Sequence, residues 1–269
     1  MSYNLYDWNN ALRQRDEYVE DRLKDGSPII AIALEEGILL LTLRTVQRKL
    51  FEVYDRLMMG ALGKQSDIES LRIAAIDTAH REGFERSPDD VSIQRLVGFA
   101  LSPAVKRIYN DQQTIPLTVR AVFAELGKEP ETDHLFVLGF DGEFKTLERI
   151  AVAAGTPYAE EQAAESIRTD DPTTVGDALR AALKAWGVGR SHLSPKAVSR
   201  DEDEYELDPK GETTSDAPRV SDDPAVAIRE ALKDGLVVEA ALLQRHTARE
   251  SKFRLLKPSE LEDALAGYR

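Results

Sequence analysis

The side chains able to do chemistry are few and scattered. His80, His134, His192 and His246 are the only four histidines. No two have the His-x-x-x-His spacing that sets two imidazoles on one helix face toward a metal. Glu131, Asp133 and His134 could supply half a metal site, but Pro130 marks a turn there and an exposed loop is expected. There is no G-x-x-x-x-G-K-S/T or G-x-G-x-x-G phosphate cradle and no G-x-S-x-G nucleophile turn. The carboxylate pairs Asp89-Asp90 and Asp222-Asp223 precede helical patterns and read as caps and loop charges, not acid–base dyads. Cysteine is absent, which excludes thiolate nucleophiles, zinc-thiolate sites, iron–sulfur clusters and disulfides. Neither a metal nor a cofactor is expected, and nothing marks a free-standing catalyst.

The elements around these residues follow from apolar spacing. Ala11–Asp25 reads as a charged helix with a modest stripe of Leu12, Tyr18, Val19 and Leu23, capped by Asp7 and ended by Gly26. Pro28–Leu34 and Ile38–Leu43 form a hairpin around Glu35-Glu36-Gly37, apolar at successive positions and so buried on both faces. Leu50–Ala61 reads as further strand. Ile68, Leu71, Ala75 and Ala79 give a helix opened near Gly63 and Ser66 and closed by Gly83. A second helix, capped by Ser87 or Asp90, carries Val91, Leu96, Val97, Leu101 and Ile108. Leu117–Leu126, Leu135–Phe140 and Phe144–Ala154 are strand-like, the last after an Asp141-Gly142 turn. Tyr158–Ile167, Thr173–Trp186 and Pro224–Lys233 are helical, Leu236–Gln244 and Phe253–Leu256 strand-like. Pro258–Ala266 is a final helix with Ser259 as cap and Glu262 completing a capping box. Antiparallel strand pairs with helices in blocks between them predict an α+β fold, a four-layer α-β-β-α sandwich.

The chain has 269 residues and a net charge of −13. The acidic balance excludes sequence-independent nucleic-acid binding, which needs a basic footprint. The longest apolar stretch, Ile29–Leu43, is broken by Glu35, Glu36 and Gly37, so no membrane span is expected. The N-terminus has no basic region or apolar signal core, so the cytoplasm is the expected location. Residues 189–224 hold ten acidic against five basic side chains and almost no large apolar residue. Such a segment is expected to be a disordered insertion, with a docking tail for a basic partner as the other reading. The expected organisation is an N-terminal segment 1–26, a core 27–188, the insertion 189–224, and strands and a helix in 225–269 that complete the core.

Several segments, in order, resemble proteasome core-particle subunits. Lys24-Asp-Gly-Ser-Pro-Ile-Ile-Ala-Ile-Ala-Leu-Glu-Glu-Gly-Ile38 is similar to the family's first hairpin. Lys49-Leu-Phe-Glu-Val-Tyr-Asp55 resembles its K-[IVL]-x-x-[IVL]-x-D strand, and Gly63-Lys-Gln-Ser-Asp67 with Leu71-Arg72 its next helix start. Gln113-Thr-Ile-Pro-Leu-Thr-Val119 is similar to the R-P-[FY]-x-V loop and strand; Leu138–Gly142 and Ala151–Thr156 resemble the later strand pair. Ala11-Leu-Arg-Gln-Arg-Asp-Glu17 resembles the A-M-R-E-R-S-E helix of actinobacterial-type α subunits, and the short loop from Leu43 to Lys49 agrees with that type.

The resemblance implies the N-terminal nucleophile hydrolase fold in its non-catalytic α-type form. Seven copies would form an outer ring over catalytic β-type subunits and dock a ring ATPase activator. It places Lys49, Gly63 and Lys64 at a pocket for the carboxylate of an activator's C-terminal tail, where an ammonium suits a single carboxylate. It puts Asp111, Gln112 and Gln113 in a pore loop, and Tyr3, Tyr6, Asp7 and Trp8 in a flexible gate within the first ten residues. Without the resemblance, Lys49 reads as an edge-strand lysine paired with a surface acid. Two alternatives remain: an orphan ring scaffold, and a self-processed peptidase or amidohydrolase using Ser27, which follows Gly26 where β-type chains cut themselves. Against processing, Leu43 stands where that chemistry needs an aspartate, Pro28 follows Ser27, and cleavage would discard the N-terminal helix.

Overall fold

The structure is a computed structural model and describes residues 5–191 and 223–268. The expected insertion therefore lies, apart from its ends, outside the described residues. The order is α1 (Leu5–Leu23), β1 (Ile29–Leu34), β2 (Gly37–Arg44), β3 (Leu50–Tyr54), β4 (Leu57–Gly63), α2 (Gln65–Glu85), α3 (Ser102–Asn110), β5 (Val119–Glu125), β6 (His134–Leu138), β7 (Phe144–Leu147), β8 (Ile150–Ala153), α4 (Pro157–Asp170), α5 (Val175–Ser191), α6 (Pro224–Lys233), β9 (Val237–Gln244), β10 (Phe253–Leu255) and α7 (Pro258–Leu265). The strands form two antiparallel five-stranded sheets, β10-β9-β2-β1-β8 and β3-β4-β5-β6-β7.

Alternation along each strand sorts the core into three clusters. Ile30, Ile32, Leu39, Leu41 and Leu43 meet apolar residues of α4 to α7, including Ala163, Trp186, Ile228 and Leu261. The alternate residues Ile29, Ala31, Ile38 and Leu40 share a second cluster with Leu50, Met58, Leu62, Val122 and Ala124 of the other sheet. The other face of that second sheet, through Met59, Ala61, Ala121 and Phe123, meets Ile68, Leu71 and Ala75 of α2 together with Leu96 and Val97. Both faces of β1 and β2 are thus buried, as their unbroken apolar runs predict.

Four sequence expectations are corrected. The run Leu50–Ala61 is a hairpin, β3 and β4, turning at Asp55 and Arg56. The run Phe144–Ala154 divides at Glu148-Arg149, and its halves edge different sheets. The helix expected from Ser87 to Ile108 is a 3-10 turn at Pro88–Asp90, a π-helical stretch Gln94–Leu101, and α3. Pro103 has no N–H and crowds the turn before it, and the ladder widens there, with the Ser102 N–H bonding the Val97 carbonyl. In α7 the N-cap is Lys257, whose N–H donates to Glu260 at 2.8 Å, in place of the Ser259–Glu262 box.

The far end of the sheets is closed by buried charge. The Arg245 guanidinium donates to both carboxylate oxygens of Asp133, at 2.7 and 3.0 Å. It also donates to the carbonyls of Gly127, Glu35 and Leu34 at 2.8, 2.9 and 3.2 Å. These bonds tie the β1–β2 turn, the connection before β6 and the end of β9. Asp133 is consequently buried, contrary to the exposed loop expected around it, although Glu131 and His134 are exposed. Nearby, Glu125 accepts from Arg56 and, at 2.7 Å, from the Ile93 N–H.

Candidate functional site

At the opposite end the chain passes from α1 into β1 through Gly26 and Ser27. A side chain at Gly26 would put its Cβ 2.6 Å from Leu62 Cδ1 and 2.9 Å from the Leu23 carbonyl, so only glycine fits this corner. The Ser27 hydroxyl donates to the Leu43 carbonyl at 2.6 Å, accepts from the Trp186 indole N–H at 2.9 Å, and lies 3.2 Å from Thr42 Oγ1. Thr42 in turn donates to the Pro28 carbonyl at 2.8 Å. Ser27 is thus a knot joining β1, β2 and α5. Its proton points at a carbonyl, which cannot act as a base, and no amine or carboxylate among the described residues hydrogen-bonds to it.

Lys49 immediately precedes β3, beside this knot. Its N–H donates to Glu239 Oε2 at 3.0 Å, and Arg44 Nε lies 3.3 Å from the same oxygen. Glu239 sits on β9 opposite Thr42. Burial raises the Glu239 pKa, opposed by the Lys49 N–H and the charges of Arg44 and Arg48. Burial lowers the pKa of the Lys49 ammonium, opposed by Glu239. The ammonium enters no salt bridge among the described residues. Pairing with a surface acid is therefore not its setting; the neighbouring acid is buried and bonds the Lys49 main chain. Sequence reasoning missed Glu239, although it is the one charged residue in the apolar run Leu236–Gln244.

The structure brings Gly63 and Lys64 to the same end of the sheet. The Ala61 N–H donates to the Lys49 carbonyl at 3.0 Å, two residues before Gly63. Gly63 has φ +125°, and a Cβ there would meet the Thr118 carbonyl at 2.1 Å. The Lys64 N–H donates to that carbonyl at 2.8 Å, and the Lys64 side chain is exposed ahead of α2.

Asp111, Gln112 and Gln113 are exposed after α3, and the Gln113 N–H donates to Asp111 Oδ1 at 3.0 Å. Arg15 of α1 donates to the carbonyls of Ile108 and Thr114, at 3.2 and 3.0 Å, bracketing this loop. The Tyr109 hydroxyl donates to Asp16 at 2.5 Å; burial first, then this bond, raises the phenol's pKa.

Helix α1 starts at Leu5, so Asp7 lies inside the helix and does not cap it, and Tyr6, Asp7 and Trp8 are helical where an irregular plug was expected. Tyr3 and the side chains of Tyr6 and Asp7 lie outside the described residues; Trp8 is half-buried. Val19 and Leu23 are fully buried in the cluster shared by the two sheets, so α1 is anchored more deeply than its modest stripe implies.

No family model matches the chain. It is 30% identical over 182 residues to the proteasome subunit alpha of Frankia casuarinae, covering 66% of this chain and 74% of that one. It is 29% identical to the proteasome subunit alpha of Actinosynnema mirum, over 66% of this chain and 67% of that one. The match to the proteasome subunit alpha of a Nocardioides species runs over 261 residues at 25% identity, 94% of this chain and 85% of that one. With a helix in front of Ser27 and a serine hydroxyl engaged as a structural knot, the chain belongs to the proteasome α-subunit family, the non-catalytic class of subunit.

Proposed function

We propose that seven copies of this chain form the outer ring of a bacterial proteasome core particle, which caps catalytic β subunits, gates substrate entry and docks a ring ATPase. Within the subunit the reading is a four-layer α-β-β-α sandwich, supported by the three clusters that each sheet shares with helices on one face and with the other sheet on the other. Residues 27–188 and 225–269 form this core, 1–26 the gate and outer-ring helix, and 189–224 an acidic insertion. The cytoplasm is the proposed location; among the described residues no helix is long and apolar enough to cross a membrane.

The observation that carries the reading is α1. It precedes Ser27 and seats Val19 and Leu23 in the core, and Arg15 and Asp16 hold it to the 108–114 segment. Ser27 is therefore an interior residue, as an α-type chain requires. Lys49, Gly63 and Lys64 form the proposed tail pocket, supported by a partly buried lysine that enters no salt bridge among the described residues, beside a glycine that admits close main-chain approach. Asp111, Gln112 and Gln113 are the proposed pore loop, and Tyr3, Tyr6, Asp7 and Trp8 the gate.

The test is co-expression with a threonine-type β subunit, followed by mass photometry, electron microscopy and intact-mass measurement. Stacked seven-fold rings containing a full-length α chain are expected. A chain that stays monomeric, excludes β subunits or loses residues 1–26 would overturn the proposal.

A further inference from the structure

The geometry points to an oxyanion site, independent of the tail pocket, that takes a phosphoryl group at the far end of the molecule. A cavity of about 530 Å³ opens there, lined by Arg56, Asp89, Lys128, Arg245, His246 and Lys252, with Leu126 and Gly127 between them. Basic side chains converge from the β3–β4 turn, the segment after β5 and the β9–β10 connection in a chain whose net charge is −13.

The two arginines form neutral walls. Arg56 is paired with Glu125 and also donates to the carbonyls of Asp89 and Val91 at 3.0 and 2.9 Å, while Arg245 is paired with Asp133. The lysines are different. The half-buried Lys252 ammonium donates to the carbonyls of Thr247 and Arg249, at 2.9 and 2.8 Å. Carbonyls fix its position without cancelling its charge, and an ammonium has a third N–H to give. The Lys252 main chain is held as well, its N–H donating to the Asp55 carbonyl at 2.7 Å. Lys128 is exposed and forms no salt bridge among the described residues.

Two ammonium groups that enter no salt bridge among the described residues, and an imidazole, thus face one lining carboxylate, Asp89. A phosphoryl group matches this set: up to two negative charges and several acceptor oxygens meet the held Lys252 ammonium and the exposed Lys128 beside it. The group can arrive as free phosphate or on a phosphorylated residue of a partner.

The test is isothermal titration of the full chain with inorganic phosphate and, separately, O-phosphoserine, at ionic strength matched with chloride. One phosphate per chain is expected. Affinity should fall about tenfold in Lys252→Met and several-fold in Lys128→Ala, and stay unchanged in Lys233→Ala. Phosphoserine binding at least as tightly as phosphate identifies a modified partner as the source; tighter phosphate identifies the free anion. Lys128 is exposed, so its variant reports even where Lys252→Met fails to fold. Heats no larger than those of chloride, or equal affinities in wild type and Lys128→Ala, would overturn the proposal.

Discussion

The two ends of the sheets bury charge in opposite ways. At the far end the two buried carboxylates each have a counter-charge: Asp133 lies against Arg245, with side chains 0% and 4% exposed, and Glu125 against Arg56. At the N-terminal end the Ser27 hydroxyl is satisfied by a carbonyl, an indole N–H and a neighbouring hydroxyl, while the partly buried Lys49 enters no salt bridge among the described residues. A matched buried pair is a clasp, since removing either partner strands the other. A desolvated cation that the fold leaves unmatched can be completed by a ligand. Conversion of burial into binding capacity thus depends on what the fold leaves unpaired, not on how much polar surface it hides.

The strongest way to break this comparison is at the clasp. Arg245→Ala leaves Asp133 buried and charged and should cost about 3–5 kcal/mol in urea unfolding. Replacing Asp133 and Arg245 together by leucine should recover much of that loss. Lys49→Ala, which breaks no salt bridge among the described residues, should cost under about 1 kcal/mol of stability. Equal losses at the two positions would erase the distinction.

Binding sharpens the other side. On assembled rings Lys49→Ala should weaken an activator tail peptide by about 1.5–3 kcal/mol, or roughly ten- to hundred-fold, by fluorescence anisotropy. Lys49→Arg should rescue only in part, because a planar fork replaces a point charge. A tail affinity unaffected by Lys49→Ala would leave the ammonium without this role. Deleting residues 1–25 should abolish ring assembly, and it also removes the buried Val19 and Leu23, so lowered subunit stability should accompany it.

Much of the fold was legible because β1 and β2 are apolar in nearly uninterrupted runs and α2 repeats at Ile68, Leu71, Ala75 and Ala79. The failures share one cause: local pattern does not say where a ladder ends. Asp55-Arg56 turns a hairpin without the glycine that flags one, and β7 and β8 part at Glu148-Arg149 because each continues a different sheet. The extent of α1 was underestimated for a related reason, as Leu5–Asn10 shows no apolar stripe of its own and continues a helix anchored further on by Val19 and Leu23. At the proposed tail pocket, Lys49, Gly63 and Lys64 were reached through resemblance. Glu239 was not, because it lies 190 positions from Lys49 and only the β2–β9 register brings it near.

A smaller effect tests the knot. Trp186→Phe keeps the ring in the core but removes its bond to Ser27, and should cost about 1 kcal/mol. Ser27→Ala should cost a similar amount while leaving the chain's intact mass and the assembled particle's peptidase activity unchanged. Loss of activity in Ser27→Ala would return the hydroxyl to catalysis.

The smallest effect is a pH dependence written by Glu239. Burial raises its carboxyl in the folded chain, so the native state holds that proton more tightly than the unfolded state does. The resulting stabilisation is fully present below the ordinary carboxylate range and is lost as pH rises through the raised folded value. Above that value the fold carries the cost of a buried carboxylate, offset by the Lys49 N–H, Arg44 and Arg48. Glutamine cannot ionise, and its carbonyl can still accept the Lys49 N–H. The stability of Glu239→Gln relative to wild type should therefore improve from pH 4 toward pH 7, by less than about 1 kcal/mol, in urea unfolding at matched salt. Glu160, also raised by burial, stays in place and preserves part of the wild-type slope. A difference between variant and wild type that is flat across this range would mean that Arg44 and Arg48 already neutralise the site. The N-terminal end would then be as fully matched as the Arg245–Asp133 clasp, and Lys49 would have no claim to an incoming anion.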